Sequence, residues 1–114
     1  MKAIKIDAES RCISIIDVET LEDKRAVVGG LLAGCGYMAN NDFLMVDDEG
    51  LLKNPKYFFR IAGYRQSFAG NGILVGTTED GDEQDVQTTV KELAEMTDFL
   101  DIFEVRERAA ACLW

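Results

Sequence analysis

Histidine is absent from the 114 residues, and that absence removes more chemistry than any motif in the chain adds. Without imidazole there is no Ser–His or Cys–His nucleophile pair, no histidine-bearing zinc site and no unperturbed general base near neutral pH. Cysteine is scarce. Cys12, Cys35 and Cys112 cannot pair completely, and their spacing fits neither a zinc knuckle nor a redox CxxC, so they read as free thiols in a reducing compartment. One proline against ten glycines favours short strands joined by tight turns over long helices. No apolar run approaches the roughly 18 residues of a membrane span. The alternating residues that follow Lys2 build no signal-peptide core, so a cytoplasmic protein is expected.

Basic charge is the remaining deficit. Twelve Lys and Arg face 21 Asp and Glu, for a net charge of −9. Such a surface repels polyanions, which argues against general nucleic-acid or anionic-membrane binding and favours solubility or a partner protein with a basic surface.

What is present is the composition of one globular domain spanning 1–114, with 47% apolar and 29% charged residues and enough chain for one hydrophobic core. Ile4 and Ile6 alternate with Lys5 and Asp7, and Cys12 to Glu19 is rich in Ile and Val, which predicts a first hairpin across Ala8–Arg11. Thr20, with Glu22 and Asp23 behind it, caps a short helix that Gly29 and Gly30 end. Leu31–Met38 and Phe43–Val46 form a second hairpin about the turn residues Asn40, Asn41 and Asp42. Asp47, Asp48, Glu49 and Gly50 then make a turn, with its carboxylates in water and Gly50 free to take positive φ. Pro55–Ile61 reads as a helical turn or irregular segment. Asn71-Gly72 turns into a buried strand, Ile73–Val75, that Gly76 ends. Glu79–Asp85 is an exposed acidic loop, and Thr88 or Thr89 with Glu92 opens a second helix through a capping box. Phe103 and Val105 alternate with Glu104 and Arg106, which favours a strand over Leu100–Arg106. The expected class is α+β, a small and mostly antiparallel sheet of hairpins with two short helices packed on it.

Two groups of residues are candidates for function. Leu51–Thr78 holds no acid at all, while Lys53, Lys56, Arg60 and Arg65 interleave with Tyr57, Phe58, Phe59 and Tyr64. Cations beside π faces suit a nucleotide or other small anion, so Lys53, Lys56, Tyr57, Arg60, Tyr64 and Arg65 form the candidate ligand set, with core packing as the competing explanation. The second group is acidic. Asp47, Asp48 and Glu49 with Glu79, Asp80, Asp82, Glu83 and Asp85 are the candidate surface for a basic partner. A divalent-ion reading of Asp47–Glu49 is weaker than a solvated turn, and Glu79–Asp85 lacks the glycine position and terminal glutamate of an EF-hand. No metal or cofactor is expected. Cys35, in an apolar run between glycines, reads as a buried thiol. Oligomer formation is open, since an exposed strand edge would permit it.

The order Val28-Gly29-Gly30, Asp47-Asp48-Glu49-Gly50-Leu51-Leu52, Asn54-Pro55 and Ile73-Leu74-Val75-Gly76, followed by an acidic loop and helix, resembles domain of unknown function 3846 over roughly Thr20 to Leu100. That family occurs in bacteriophages, plasmids and other mobile elements. The resemblance implies an accessory protein of a mobile element in a bacterial host's cytosol, and brings no catalytic residues with it. The expected function is non-enzymatic binding, for example as an acidic inhibitor of a host defence or nucleic-acid-handling protein; capture of a nucleotide or other small anion by segment 53–65 is the alternative.

Overall fold

Alternation of Ile with polar residues builds the first strands, as expected. A computed structural model describes residues 1–111; Cys112 lies outside the described residues. β1 (Lys2–Asp7) and β2 (Cys12–Asp17) pair antiparallel with Lys2 opposite Asp17 and Asp7 opposite Cys12. α1 (Leu21–Val28) begins at Thr20, whose hydroxyl accepts from the Asp23 N–H while the Asp23 carboxylate accepts from the Thr20 N–H. It ends at Gly29 in the left-handed region, φ 85°, where a Cβ would be strained. β3 (Leu32–Tyr37) and β4 (Phe43–Asp47) form the second hairpin, with a bulge between Gly34 and Gly36.

β7 (Gly72–Thr77), buried along its whole length, completes the main sheet in the order β2-β1-β7-β4-β3. The two-residue β8 (Glu83–Gln84) pairs with the end of β7. The expected turn at Asn71-Gly72 sits one step earlier. Gly70 takes the positive φ of 78°, and Gly72 and Gly76 lie inside the strand. Gly50 likewise does not take positive φ; it is buried and opens a 3₁₀ turn, Gly50–Leu52.

A second sheet, in the order β6-β5-β9, is built from β6 (Phe68–Ala69), β5 (Tyr57–Ile61) and β9 (Thr97–Asp101). Here Tyr57–Ile61 corrects the expected helical turn. Phe58 and Phe59 face opposite sides of this sheet and both sides are covered, so the strand shows no polar alternation that would reveal it. The expected strand Leu100–Arg106 is also corrected, because β9 stops at Asp101 and α3 (Ile102–Ala111) follows. The helix start is fixed locally. The Glu104 N–H donates to Asp101 Oδ1 at 2.9 Å, and the Asp101 N–H donates to Glu104 Oε1 at 3.3 Å, a reciprocal pair of the capping-box kind. α2 (Val90–Met96) starts at Thr89, whose hydroxyl accepts from the Glu92 N–H at 3.1 Å. The Glu92 carboxylate accepts from the Thr89 hydroxyl, not from its backbone, so only half of the expected box forms.

The α+β class with antiparallel hairpin sheets and short helices is therefore the observed one, and the layers follow from which face each side chain takes. Ala3, Met45, Ile73 and Val75 pack toward α1 through Val28. Ile4, Ile6, Leu44 and Leu74 face the second sheet, meeting Phe59, Ile61 and Phe68, with Leu93 of α2 joining them. Phe58, Ala69 and Leu100 face outward under Ile102 and Val105 of α3. Burial of this kind contributes about 25 cal/mol per Å² of apolar surface.

Candidate functional site

The basic and aromatic segment is divided by β5. Lys53, Lys56 and Tyr57 line a cleft of about 310 Å³ together with Asp47, Gly29 and Asn71. Tyr64 and Arg65 line a different cleft, of about 590 Å³, with Cys35, Met38, Glu92 and Met96. Arg60 stands on β5 directly opposite Asp98 of β9. The six candidate ligand residues thus fall into separate groups. One of their charges is already matched: Lys53 Nζ donates to Asp47 Oδ2 at 2.6 Å and to the Gly29 carbonyl at 3.1 Å.

That pair also corrects the expectation that all three carboxylates of the β4 turn face water. The Asp47 side chain is only 7% exposed. Its burial works to raise the pKa, but the hydrogen bond from Lys53, the Glu49 N–H and the ammonium charge outweigh it and hold the carboxyl below its usual range. Asp48 and Glu49 are exposed.

Around Tyr64 the chemistry is quiet. Its hydroxyl donates to the Gly36 carbonyl at 3.2 Å, and burial, then the neighbouring Cys35, push its pKa up. Burial pushes the Cys35 thiol up as well, so the sulfur stays a thiol at neutral pH and is a poor nucleophile.

The second acidic stretch is more ordered than a loop. Gly81 turns it at φ 90°, Glu83 pairs with Thr77 in register, and the Glu83 carboxylate accepts from Lys24, which is 8% exposed. Asp85 Oδ1 accepts from the Lys2 N–H at 2.7 Å. These contacts bring Glu83 and Asp85 beside the end of β2 and the start of α1, where Asp17, Glu19, Glu22 and Asp23 are exposed, while Glu79 turns toward Tyr37 at the same end of the sheet. One end of the main sheet is therefore an acidic pole. Asp47, Asp48 and Glu49 lie at the opposite end, since Val46 pairs with Gly72 and Phe43 with Val75.

The most connected polar residue, Asp42, was legible only as a turn former. It is fully buried and accepts from the Gln87 N–H at 3.1 Å, the Thr88 N–H at 2.7 Å and the Thr88 hydroxyl at 2.6 Å. Asn40 closes the ring by donating to the Thr88 hydroxyl oxygen and accepting from the Asp42 N–H. Its donors lie far along the chain, so local sequence carries no signal for its burial. Among the described residues no group of three or more acidic or thiol side chains is placed to hold a metal ion, and no helix is long and apolar enough to cross a membrane.

Fold and surface together define a small two-sheet α+β protein with an acidic pole at one end of its main sheet. Residues 1–99 match the family described as Domain of unknown function (DUF3846), and the chain belongs to that family. No curated protein and no solved structure matches the chain.

Proposed function

We propose that the protein is a non-enzymatic accessory binding protein of a phage or other mobile element, which engages a host protein bearing a basic surface through its acidic pole. The observation that carries this reading is the gathering of residues 17–23 with Glu83 and Asp85, two acidic segments far apart in sequence, through the Lys2–Asp85 and Lys24–Glu83 contacts. Charge gathered on one face steers a complementary partner and speeds encounter far more than the same charge dispersed. A host protein that handles nucleic acid, in defence or otherwise, binds a polyanion and so presents such a basic face. Anion capture by segment 53–65 has less support, because Lys53 is engaged by Asp47 and the remaining cations diverge.

The test uses a variant with Glu22→Lys, Glu79→Lys and Asp80→Lys, all at exposed positions. Immobilised native protein is expected to retain a specific protein from bacterial host lysate at about 0.15 M salt, where surface charges interact over about 8 Å, and the variant is expected to lose it. Retention of nothing, or equal retention by both proteins, would refute the reading.

A further inference from the structure

We propose that the outer edge of β3 is a docking strand for an extended segment of a partner protein, apolar at alternate positions and carrying Lys or Arg at its C-terminal end. β3 closes the main sheet and pairs only with β4 among the described residues. Its hydrogen-bond phase can be read from the bonds at its two ends. The Asp48 N–H donates to the Leu31 carbonyl at 2.8 Å, and the Met38 N–H donates to the Asp42 carbonyl at 2.7 Å. Given the register on either side of the bulge, Leu31, Ala33, Gly36 and Met38 direct their backbone groups to β4, which leaves those of Leu32, Gly34 and Tyr37 directed outward.

A groove accompanies this edge. Two clefts, of about 380 and 590 Å³, share Cys35 and follow the strand from Ala33 to Tyr37. Their far bank is the segment around Tyr64, Gln66 and Phe68. Exposed apolar side chains gather at its margins: Leu31 is 54% exposed, Tyr37 61%, Leu51 73% and Leu52 83%. An added strand would satisfy the outward amides and place alternate side chains in the groove.

Charge selects the occupant. Asp48 and Glu49 are exposed at the Leu32 end, and among the described residues neither enters an ion pair. A strand antiparallel to β3 reaches that end with its C-terminal residues, where Lys or Arg would meet both carboxylates. A second copy of the chain fits badly. In an antiparallel β3–β3 pair these carboxylates would approach the Tyr37 end of the other copy, where Glu79 shares a recess with Tyr37, and each copy carries −9.

The proposal concerns the length of β3, which adjoins the acidic pole only where Glu79 lies beside Tyr37, and its test keeps the two apart. The probes are two fluorescein-labelled peptides, Val-Thr-Val-Thr-Val followed by Lys-Lys or by Glu-Glu, titrated by anisotropy with amide exchange followed in parallel. The Lys-ended peptide is expected to bind at least about tenfold more tightly and to protect the Leu32, Gly34 and Tyr37 amides. Asp48→Lys with Glu49→Lys should reverse the preference, Leu52→Glu should weaken binding, and a pole variant that leaves Glu79 in place beside Tyr37, Glu19→Lys with Glu22→Lys, should bind as the native protein does. Absence of binding, equal binding of both peptides, protection confined to another surface, or loss of binding in the pole variant would overturn the proposal. So would a dimer in sedimentation experiments whose β3 amides are protected without peptide.

Discussion

Asp42 shows how much one buried carboxylate organises. Its oxygens gather donors from Gln87 and Thr88, so the turn before β4 is tied to the segment that leads into α2. Removing the acceptor strands several donors in a site without water access, whereas removing one donor leaves the others satisfied. Asp42→Ala is therefore expected to cost about 3 kcal/mol and Thr88→Val about 1 kcal/mol, with the double variant costing less than their sum. Urea unfolding of the three variants checks the order; a Thr88→Val loss equal to or larger than that of Asp42→Ala would contradict it. This residue also marks a limit of sequence reading. The tripeptide Asn40-Asn41-Asp42 identifies a turn correctly, and Asn41 does take a positive φ of 69°. Whether the third residue faces water or the interior depends on donors at 87 and 88, which no local pattern reveals. Asp47 is the counterpart on the other end of the strand, an acid whose ion pair with Lys53 is likewise set by how the chain returns after the 3₁₀ turn.

Among the elements, those with local causes were legible and those with distant partners were not. The hairpins β1–β2 and β3–β4 follow from apolar alternation and turn residues, and α1 from Thr20 and Gly29. β5 was obscured because its partner β9 lies at residues 97–101 and its two faces are both covered. The start of α3 did carry a local signal, Asp101-Ile102-Phe103-Glu104, which the alternation of Phe103 and Val105 masked. The basic segment failed to predict a single cleft for a related reason: consecutive residues on a strand point to opposite faces, so Arg60 and its neighbours were bound to part once β5 formed. The contact between the sheets supplies an element-scale prediction. A Cβ on Gly72 would lie 2.6 Å from Phe59 Cζ and 3.5 Å from Leu44 Cδ1, so β7 approaches β5 only because that side chain is missing. Alanine in place of a strand glycine would otherwise stabilise by about 0.5–1 kcal/mol, but overpacking typically costs about 1–3 kcal/mol, and the clash should win. Gly72→Ala is expected to destabilise by about 2 kcal/mol, and Phe59→Leu in the same chain to recover part of that loss through a coupling of about 1 kcal/mol. A neutral or stabilising Gly72→Ala in chemical denaturation would show that the sheets adjust freely.

For the whole molecule, the question is whether the excess of acid merely coats the surface or works against the fold. Two effects compete as salt rises. Screening weakens the Lys2–Asp17 and Lys24–Glu83 pairs, and exposed pairs of the first kind contribute only about 0–1 kcal/mol. It also relieves repulsion among Asp17, Glu19, Glu22 and Asp23 and the five acids of residues 79–85, which the fold holds closer together than an unfolded chain would. Since these acids outnumber the lysines beside them, relief of repulsion should dominate. Raising NaCl from about 0.02 M to about 0.3 M, which shortens the screening length several-fold, is expected to raise the melting temperature by several degrees, the shift that about 1 kcal/mol produces in a domain of this size. The variant with Glu22→Lys, Glu79→Lys and Asp80→Lys gains two units of charge at each swap. It should melt higher than the native protein at low salt and respond less to added salt, because the repulsion that salt would relieve has already been removed. A native melting temperature that falls with salt, or equal salt responses in the two proteins, would mean that the ion pairs outweigh the repulsion and that the pole imposes no cost on folding. A measured cost would give the concentration of charge a physical meaning: stability forgone in the free protein and regained when a basic surface covers the pole.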